Sequence, residues 1–395
     1  MKYASVTQRL ATLGSEKWVI HDRARQMIAE GKDIIELTIG EPDVAIPNYL
    51  IEAAYTAMQQ GRTAYSSGRG EDNLCKALAQ RYSQRLKRTI SQQQVLCFPG
   101  TQTALYTVMN GLVEAGDEVL VGDPMYATYE GVIASSGATV VPVPLRPENG
   151  FRLSAEDLQA RITERTQAIL LNTPHNPTGA VLTTEDIEAI AALAVEHDLW
   201  LVVDEVYEEL VFSDTTFVSP FAFEAIADRV VVVSSISKSH AAPGFRSGWC
   251  VGPEEFCHRI LPLSETMLFG NQPFIADMTA LAVSQPSPIA EGMMARFEAR
   301  ANLLAETLQR DSQLTVSLPK AGMFALVNVA ATGLSGYDYA VDLLENAGVA
   351  VMPGSAFGET LSDWVRIALT TEDALFAEGC ERMVKHANAQ QHHGA

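Results

Sequence analysis

The 395-residue sequence predicts an α/β fold in which helices cover both faces of a mainly parallel sheet. Two observations carry that expectation. Short β-branched runs recur through the middle of the chain, and stretches of helical periodicity separate them, the alternation of a doubly wound domain. The runs are Val95–Phe98, Val119–Gly122, Ala168–Leu171, Trp200–Val203 and Val230–Val233. Each is apolar at successive rather than alternate positions, as suits a strand buried on both faces of a parallel sheet.

The intervening helices are readable too. Leu105, Val108, Met109 and Leu112 recur at helical spacing, and Gly116 stands where a helix would stop. Ser154 with Asp157, and Thr183 with Asp186, have the spacing of capping boxes. The alternation fills residues 48–290, expected as a large domain. Beyond it come a helical stretch over Ile289–Gln309 and a strand over Met323–Val329. Residues 291–395 are expected to fold with residues 1–47 as a smaller α+β domain. A pocket would then lie at the carboxyl ends of the strands and between the domains.

Composition narrows the function. No apolar run reaches the ~18–20 residues of a membrane helix, and the N-terminus, MKYASVTQRLATLGSEKW, lacks the apolar core of a signal peptide. A cytoplasmic protein with no membrane partner is expected. The net charge of −20 argues against nucleic acid. Five cysteines, Cys75, Cys97, Cys250, Cys257 and Cys380, are odd in number and scattered, with no zinc spacing, and read as reduced thiols. The terminal QQHHGA reads as a frayed tail whose histidines make no metal site, and no metal is expected.

The residues just after each buried run are the most informative in the chain. Asn172-Thr-Pro-His-Asn176-Pro-Thr-Gly179 comes after one run, and Asp204-Glu-Val-Tyr207 after another. Ser235-Ile-Ser-Lys238 with Gly244-Phe-Arg246 comes after the four valines, and Gly100-Thr101-Gln102 after Val95–Phe98. In a parallel sheet these ends share one edge, so Asn176, Asp204, Tyr207, Ser235, Lys238 and Arg246 should converge. Taken singly, each has an ordinary reading. A lysine is usually a solvated surface residue, the Asn-Pro-Thr-Gly segment a turn, Asp204 a structural carboxylate and Arg246 a surface ion pair. Taken together they describe chemistry. A lysine at a dry sheet edge has a lowered pKa and can form a Schiff base. A buried acid can hold a proton on a pyridine nitrogen. Arg246, Ser235 and the amides of Thr101 and Gln102 make a phosphate cradle.

The set resembles the class I/II aminotransferases of the fold-type I pyridoxal-phosphate enzymes, from about Ile34 to the final helix. The resemblance implies a fold-type I PLP-transferase with pyridoxal phosphate as cofactor and Lys238, in SISKSHAAPGFRSGW, as its covalent attachment point. It implies that Asp204 meets the pyridine nitrogen and that Tyr207 and Asn176 bond the phenolic oxygen. Phosphate would fall to Gly100, Thr101, Gln102, Ser235 and Arg246, and Tyr126 would stack on the ring. Tyr65, in TAYSSGRG, would reach the phosphate of a neighbouring subunit and make the active unit a homodimer with shared sites. Gly40, in IGEPD, Asn176 and Arg366, in WVRIAL, would bind the substrate, Gly40 and Arg366 at its carboxylate. Pro243 and Ser247 depart from the commoner Thr and branched aliphatic around the Gly-x-Arg, so local packing is expected to differ.

The implied reaction is a ping-pong transfer of an α-amino group from an L-amino acid to a 2-oxo acid. Ala64 stands where aspartate-using bacterial relatives typically carry a lysine for a distal carboxylate. The stretches ENGFRLSAEDL, NTPHNPTG and HDLWLVVDEVYEEL resemble arginine:pyruvate transaminases. Arginine with pyruvate is therefore the expected pair. Aspartate or aromatic amino acids are the alternative, and a C–S lyase on the same fold is the alternative of another class.

Overall fold

The computed structural model describes residues 1–11, 13 and 16–391. A seven-stranded sheet forms its centre, in the order Val95–Phe98, Gly248–Val251, Val230–Ser235, Trp200–Asp204, Thr166–Asn172, Glu118–Asp123, Thr139–Pro144. All five expected runs are strands of it. The continuous apolar pattern has the expected cause. Leu201, Val203, Val230 and Val232 pack into one core on one face, while Val202, Val231 and Val233 pack into another on the opposite face. Each of the four valines Val230–Val233 is fully buried, which stabilises the fold by roughly 1.5–3 kcal/mol per side chain.

Two strands carry no such signal. Thr139–Pro144 is half exposed and holds two prolines, tolerable because it is an edge strand. Gly248–Val251 has a glycine and a tryptophan in place of a β-branched run. It also corrects the parallel expectation for Val95–Phe98, because it runs antiparallel to both Val95–Phe98 and Val230–Ser235. Two reversals restore the direction, so the carboxyl end of Val95–Phe98 still points to the shared edge.

Helix Thr101–Leu112 buries Leu105, Val108 and Met109 as its spacing predicts. It ends earlier than Gly116, which instead takes φ +107° in the turn before Glu118–Asp123. Thr183 and Asp186 form a reciprocal capping box, each side chain bonding the other's amide. Ser154 accepts from the Asp157 amide, but the Asp157 carboxylate turns to Arg146, so that box is only half made.

A four-stranded antiparallel sheet, Met352–Pro353, Trp364–Ala368, Phe324–Asn328, Thr315–Ser317, forms beside the long helix Ala290–Asp311. Ile35–Glu36 pairs in parallel with Val349–Ala350, and Ile20, Met27 and Leu37 share a core with Val327 and Ile367. The tail expectation fails at its first two residues, which close helix Asp373–Gln391, where Gln390 bonds Asp342 at 2.5 Å. The two histidines after them lie outside the described residues. All five cysteines are buried and free. Among the described residues no helix is long and apolar enough to cross a membrane.

Candidate active site

The strand ends open into a cavity of roughly 250 Å³. Gly40, Thr101, Gln102, Tyr126, Asn176, Asp204, Tyr207, Ser235, Lys238, Arg246 and Arg366 all line it. Asp204 closes its strand opposite Asn172 of the neighbouring one, and Ser235 closes the next, so the floor is a row of strand termini.

Asp204 is buried, accepts from the Tyr129 hydroxyl at 2.8 Å, and accepts from the Val206 amide at 3.1 Å. Burial pushes its carboxyl up to about 6, against the opposing pull of those two donors. Lys238 Nζ donates to the Gly40 carbonyl at 2.8 Å. Burial brings its amine down to about 8; Glu41 opposes this, while Arg366 and Arg246 add to it. The amine still carries its proton for most of the time at neutral pH, but its pKa is brought toward the range a nucleophile or base needs.

The Arg366 guanidinium carbon lies over the rings of Phe324 and Phe357, 3.9 and 4.3 Å from their centroids. It donates to Asn176 Oδ1 at 3.1 Å and to the Thr38 carbonyl at 2.7 Å, while its Nε is buried without a partner. Burial presses this guanidinium down to about 9, and no carboxylate among the described residues pairs with it. Burial holds the Tyr207 and Tyr126 hydroxyls above their usual range.

Gly100 is not on the wall, but it shapes the wall. It has φ +88°, and a Cβ there would stand 2.2 Å from Arg246 Nη2. Only glycine lets the guanidinium lie across the loop that begins helix Thr101–Leu112. The first-turn amides of that helix have no partner within it, and Thr101 Oγ1 is buried without one. Pro243 also lines the cavity and its carbonyl accepts from Arg246 at 2.8 Å, while Ser247 is buried and bonded by Thr279 at 2.7 Å. The departures noted in the sequence are thus accommodated as polar contacts.

Tyr65 does not join the others. It is 94% exposed, edge-on to the exposed Phe269, and apart from the cavity. Sequence reasoning also missed residues that matter. Tyr129 holds Asp204, and its signal was its place one helical turn after Tyr126 in PMYATYEG. Trp18 and Phe324 line the cavity, but only tertiary pairing brings them there; Asn172 also lines it and directly follows Ala168–Leu171. Among the described residues no group of three or more His, Cys, Asp or Glu gathers as a metal site would need.

A mainly parallel sheet whose strand ends present a lysine of lowered pKa, a buried acid and arginines without carboxylate partners defines a site suited to anionic ligands. The chain belongs to the aminotransferases of class I and II, whose family model matches residues 32–383, and it is a pyridoxal-phosphate-dependent transaminase. It is 41% identical to the arginine–pyruvate transaminase AruH of Pseudomonas aeruginosa over 383 residues, 97% of each chain. It is 32% identical to a probable aspartate/prephenate aminotransferase of Aquifex aeolicus, over 92% of this chain and 93% of that one. In structure it resembles the aspartate aminotransferase of Thermus thermophilus with maleate, at a TM-score of 0.92 and 30% identity, covering 98% of this chain and all of the other.

Proposed function

We propose that the enzyme moves the α-amino group of L-arginine to pyruvate, with pyridoxal phosphate held in this cavity. The observation that carries the reading is an excess of positive charge on the cavity wall, with Arg366 buried, Lys238 half-buried and Arg246 exposed. Lys238, Arg246 and Arg366 face a cavity whose one lining carboxylate, among the described residues, is Asp204. A phosphate and a substrate carboxylate are the groups such a cavity suits. The orphaned Thr101 hydroxyl and the Arg246 guanidinium over Gly100 fit the phosphate, and the orphaned Arg366 Nε fits the carboxylate.

The cofactor, when bound, supplies an electrophilic carbonyl carbon and a pyridine ring that draws charge from the substrate α-carbon. Lys238 Nζ would hold the cofactor at that carbon and would serve as the base that takes the proton from the substrate α-carbon. Asp204, held in place by Tyr129, would keep a proton on the ring nitrogen. Tyr207 and Asn176 would bond the phenolic oxygen, and Tyr126 would cover the ring. Ser235, Arg246, Gly100, Thr101 and Gln102 would cradle the phosphate. Gly40 and Arg366 would orient the substrate carboxylate, with Phe324 and Phe357 packed against the guanidinium.

Arginine is favoured over aspartate on two grounds. All three cations on the wall are needed for the cofactor and the α-carboxylate, and Ala64 offers none for a distal carboxylate. The relative that uses arginine and pyruvate, by its name, is also 41% identical. The same reading divides the chain into domains 48–290 and 1–47 with 291–395, which the pairing of Ile35–Glu36 with Val349–Ala350 supports. It makes the unit a homodimer in which Tyr65 reaches the other subunit's phosphate, supported by the exposed aromatic pair Tyr65 and Phe269. Five buried free cysteines support a reducing, cytoplasmic setting.

The test is twofold. Borohydride reduction and then peptide mapping should place the cofactor on Lys238, and a label elsewhere would sink the cofactor assignment. Alanine formation from arginine and pyruvate should proceed with a higher kcat/KM than glutamate formation from aspartate and 2-oxoglutarate. Ala64→Lys should shift preference toward aspartate by about 5- to 150-fold, since a charge contact contributes roughly 1–3 kcal/mol. Aspartate winning in the unaltered enzyme would overturn the arginine reading and leave the transaminase intact.

A further inference from the structure

The arginine reading leaves one question: what receives the cationic end of the substrate. Asp204 cannot, because it lies at the cavity floor with its two oxygens bonded to Tyr129 and Val206. The other acid felt at Lys238 is Glu41, which is exposed, and water screens such a contact until it contributes little. A cation can also be received by an aromatic face.

Of the aromatic residues on the wall, Tyr129 is tied to Asp204, Phe324 is stacked on Arg366, and Tyr126 and Tyr207 are assigned to the cofactor. Trp18 is the one left. It is half-buried and forms part of both this cavity and the adjoining one lined by Leu10, Gln102 and Tyr106, so it stands as the wall between them. It is also held in place. His21 meets its ring edge-on, with centroids 6.3 Å apart, and His21 Nδ1 lies 3.0 Å from Thr38 Oγ1. The Thr38 carbonyl in turn accepts from Arg366. On the other side Lys17 ties the segment to the Ala127 carbonyl at 3.2 Å and to Glu130. The indole is therefore braced against the same strand end that holds the carboxylate-binding arginine.

We infer that Trp18 is a specificity-determining platform on which the planar, weakly hydrated guanidinium of the substrate stacks. The inference rests on the arginine reading and adds a residue to it. An indole is the best of the aromatic faces for a cation, and a guanidinium suits it by being both flat and charged. Apolar substrates would also pack there, but only a cation would draw on the electrostatics of the face.

The experiment compares L-arginine with L-citrulline, its neutral near-isostere, as amino donors to pyruvate. In the unaltered holoenzyme arginine should be preferred. Trp18→Leu should lower kcat/KM for arginine about 5- to 30-fold, mostly through KM, and that for citrulline much less. Trp18→Phe, which keeps an aromatic face and most of the packing, should retain part of the preference and guards against a leucine variant that fails to fold. The inhibition constant of δ-guanidinovalerate, which lacks the reacting amine, should rise in parallel with KM. Equal losses on both donors would show a merely structural tryptophan. So would a preference abolished by Glu41→Gln and untouched at Trp18. Refusal of arginine by the unaltered enzyme would bring down the substrate reading itself, and this inference with it.

Discussion

Two groups of charges, each around a buried acid, sit on either side of the same strand end, and they are built on opposite terms. Asp204 faces the cavity with Lys238, Arg246 and Arg366, three cations around one acid. Its neighbour Glu205 faces away, into a cluster with Glu208, Glu209, Arg81 and Arg85. There Arg81 pairs with Glu208 at 3.1 Å and with Glu209, and Arg85 pairs with Glu208. Burial, reinforced by Glu208, pushes the Glu205 carboxyl up to about 8, so it is protonated at neutral pH and bonds Ser219. Two arginines then meet two carboxylates and the cluster closes on itself. The cavity does not close: its cations outnumber its one acid, and the buried Arg366 has no carboxylate partner among the described residues. Burial of charge alone therefore says little about function; the lack of an internal partner says more.

That contrast can be broken by experiment. The largest effect is expected at Asp204→Asn, which should bind the cofactor yet lose turnover by several orders of magnitude. Nearly normal kcat would make Asp204 as structural as Glu205. Next is Arg366→Gln, which removes one side of a buried charge contact and should lower kcat/KM about 30- to 5,000-fold, from roughly 2–5 kcal/mol. The loss should be the same for arginine and aspartate, since both carry the α-carboxylate; unequal losses would give Arg366 a different role. On the other side of the sheet, Glu208→Gln removes the buried carboxylate between Arg81 and Arg85, leaves Arg81 only Glu209, and should cost about 1–3 kcal/mol of stability in denaturant unfolding. Unchanged stability there would show that the cluster is not held by its pairing. The smallest effect belongs to Tyr65→Phe, a lost hydroxyl contact of about 1 kcal/mol. Mixing its subunits with Lys238→Ala subunits should restore one sound site per hybrid dimer, and no recovery in verified hybrids would count against a shared site.

Much of the floor was legible in the sequence because each of its residues sits just after a run that betrays its own burial. Asn176, Asp204, Ser235 and Lys238 are placed by the strands before them, and strand direction alone makes them meet. The roof was not legible on the same terms. Arg366 lies on an antiparallel strand with Met352 opposite it and is gripped by Phe324 and Phe357, contacts between distant segments that no local pattern announces. Only the family resemblance pointed to it, and a local reading made it an exposed strand residue. Gly248–Val251 was missed for a different reason: its burial is carried by a glycine against a facing loop and by a tryptophan bonded to Tyr82 at 3.0 Å.

That missed strand governs when the anion cradle can exist. Phe98 pairs with Gly248, about 150 residues further along the chain, and only this pairing sets Gly100 against Arg246. The entropy of closing so long a loop must be met before the contact returns anything. A chain folded everywhere except at this edge would hold Asp204 and Ser235 in register on their own strands and still have no seat for a phosphate. Affinity for the cofactor's phosphate is thus a gauge of whether one four-residue strand has docked, and it can be read without unfolding the rest.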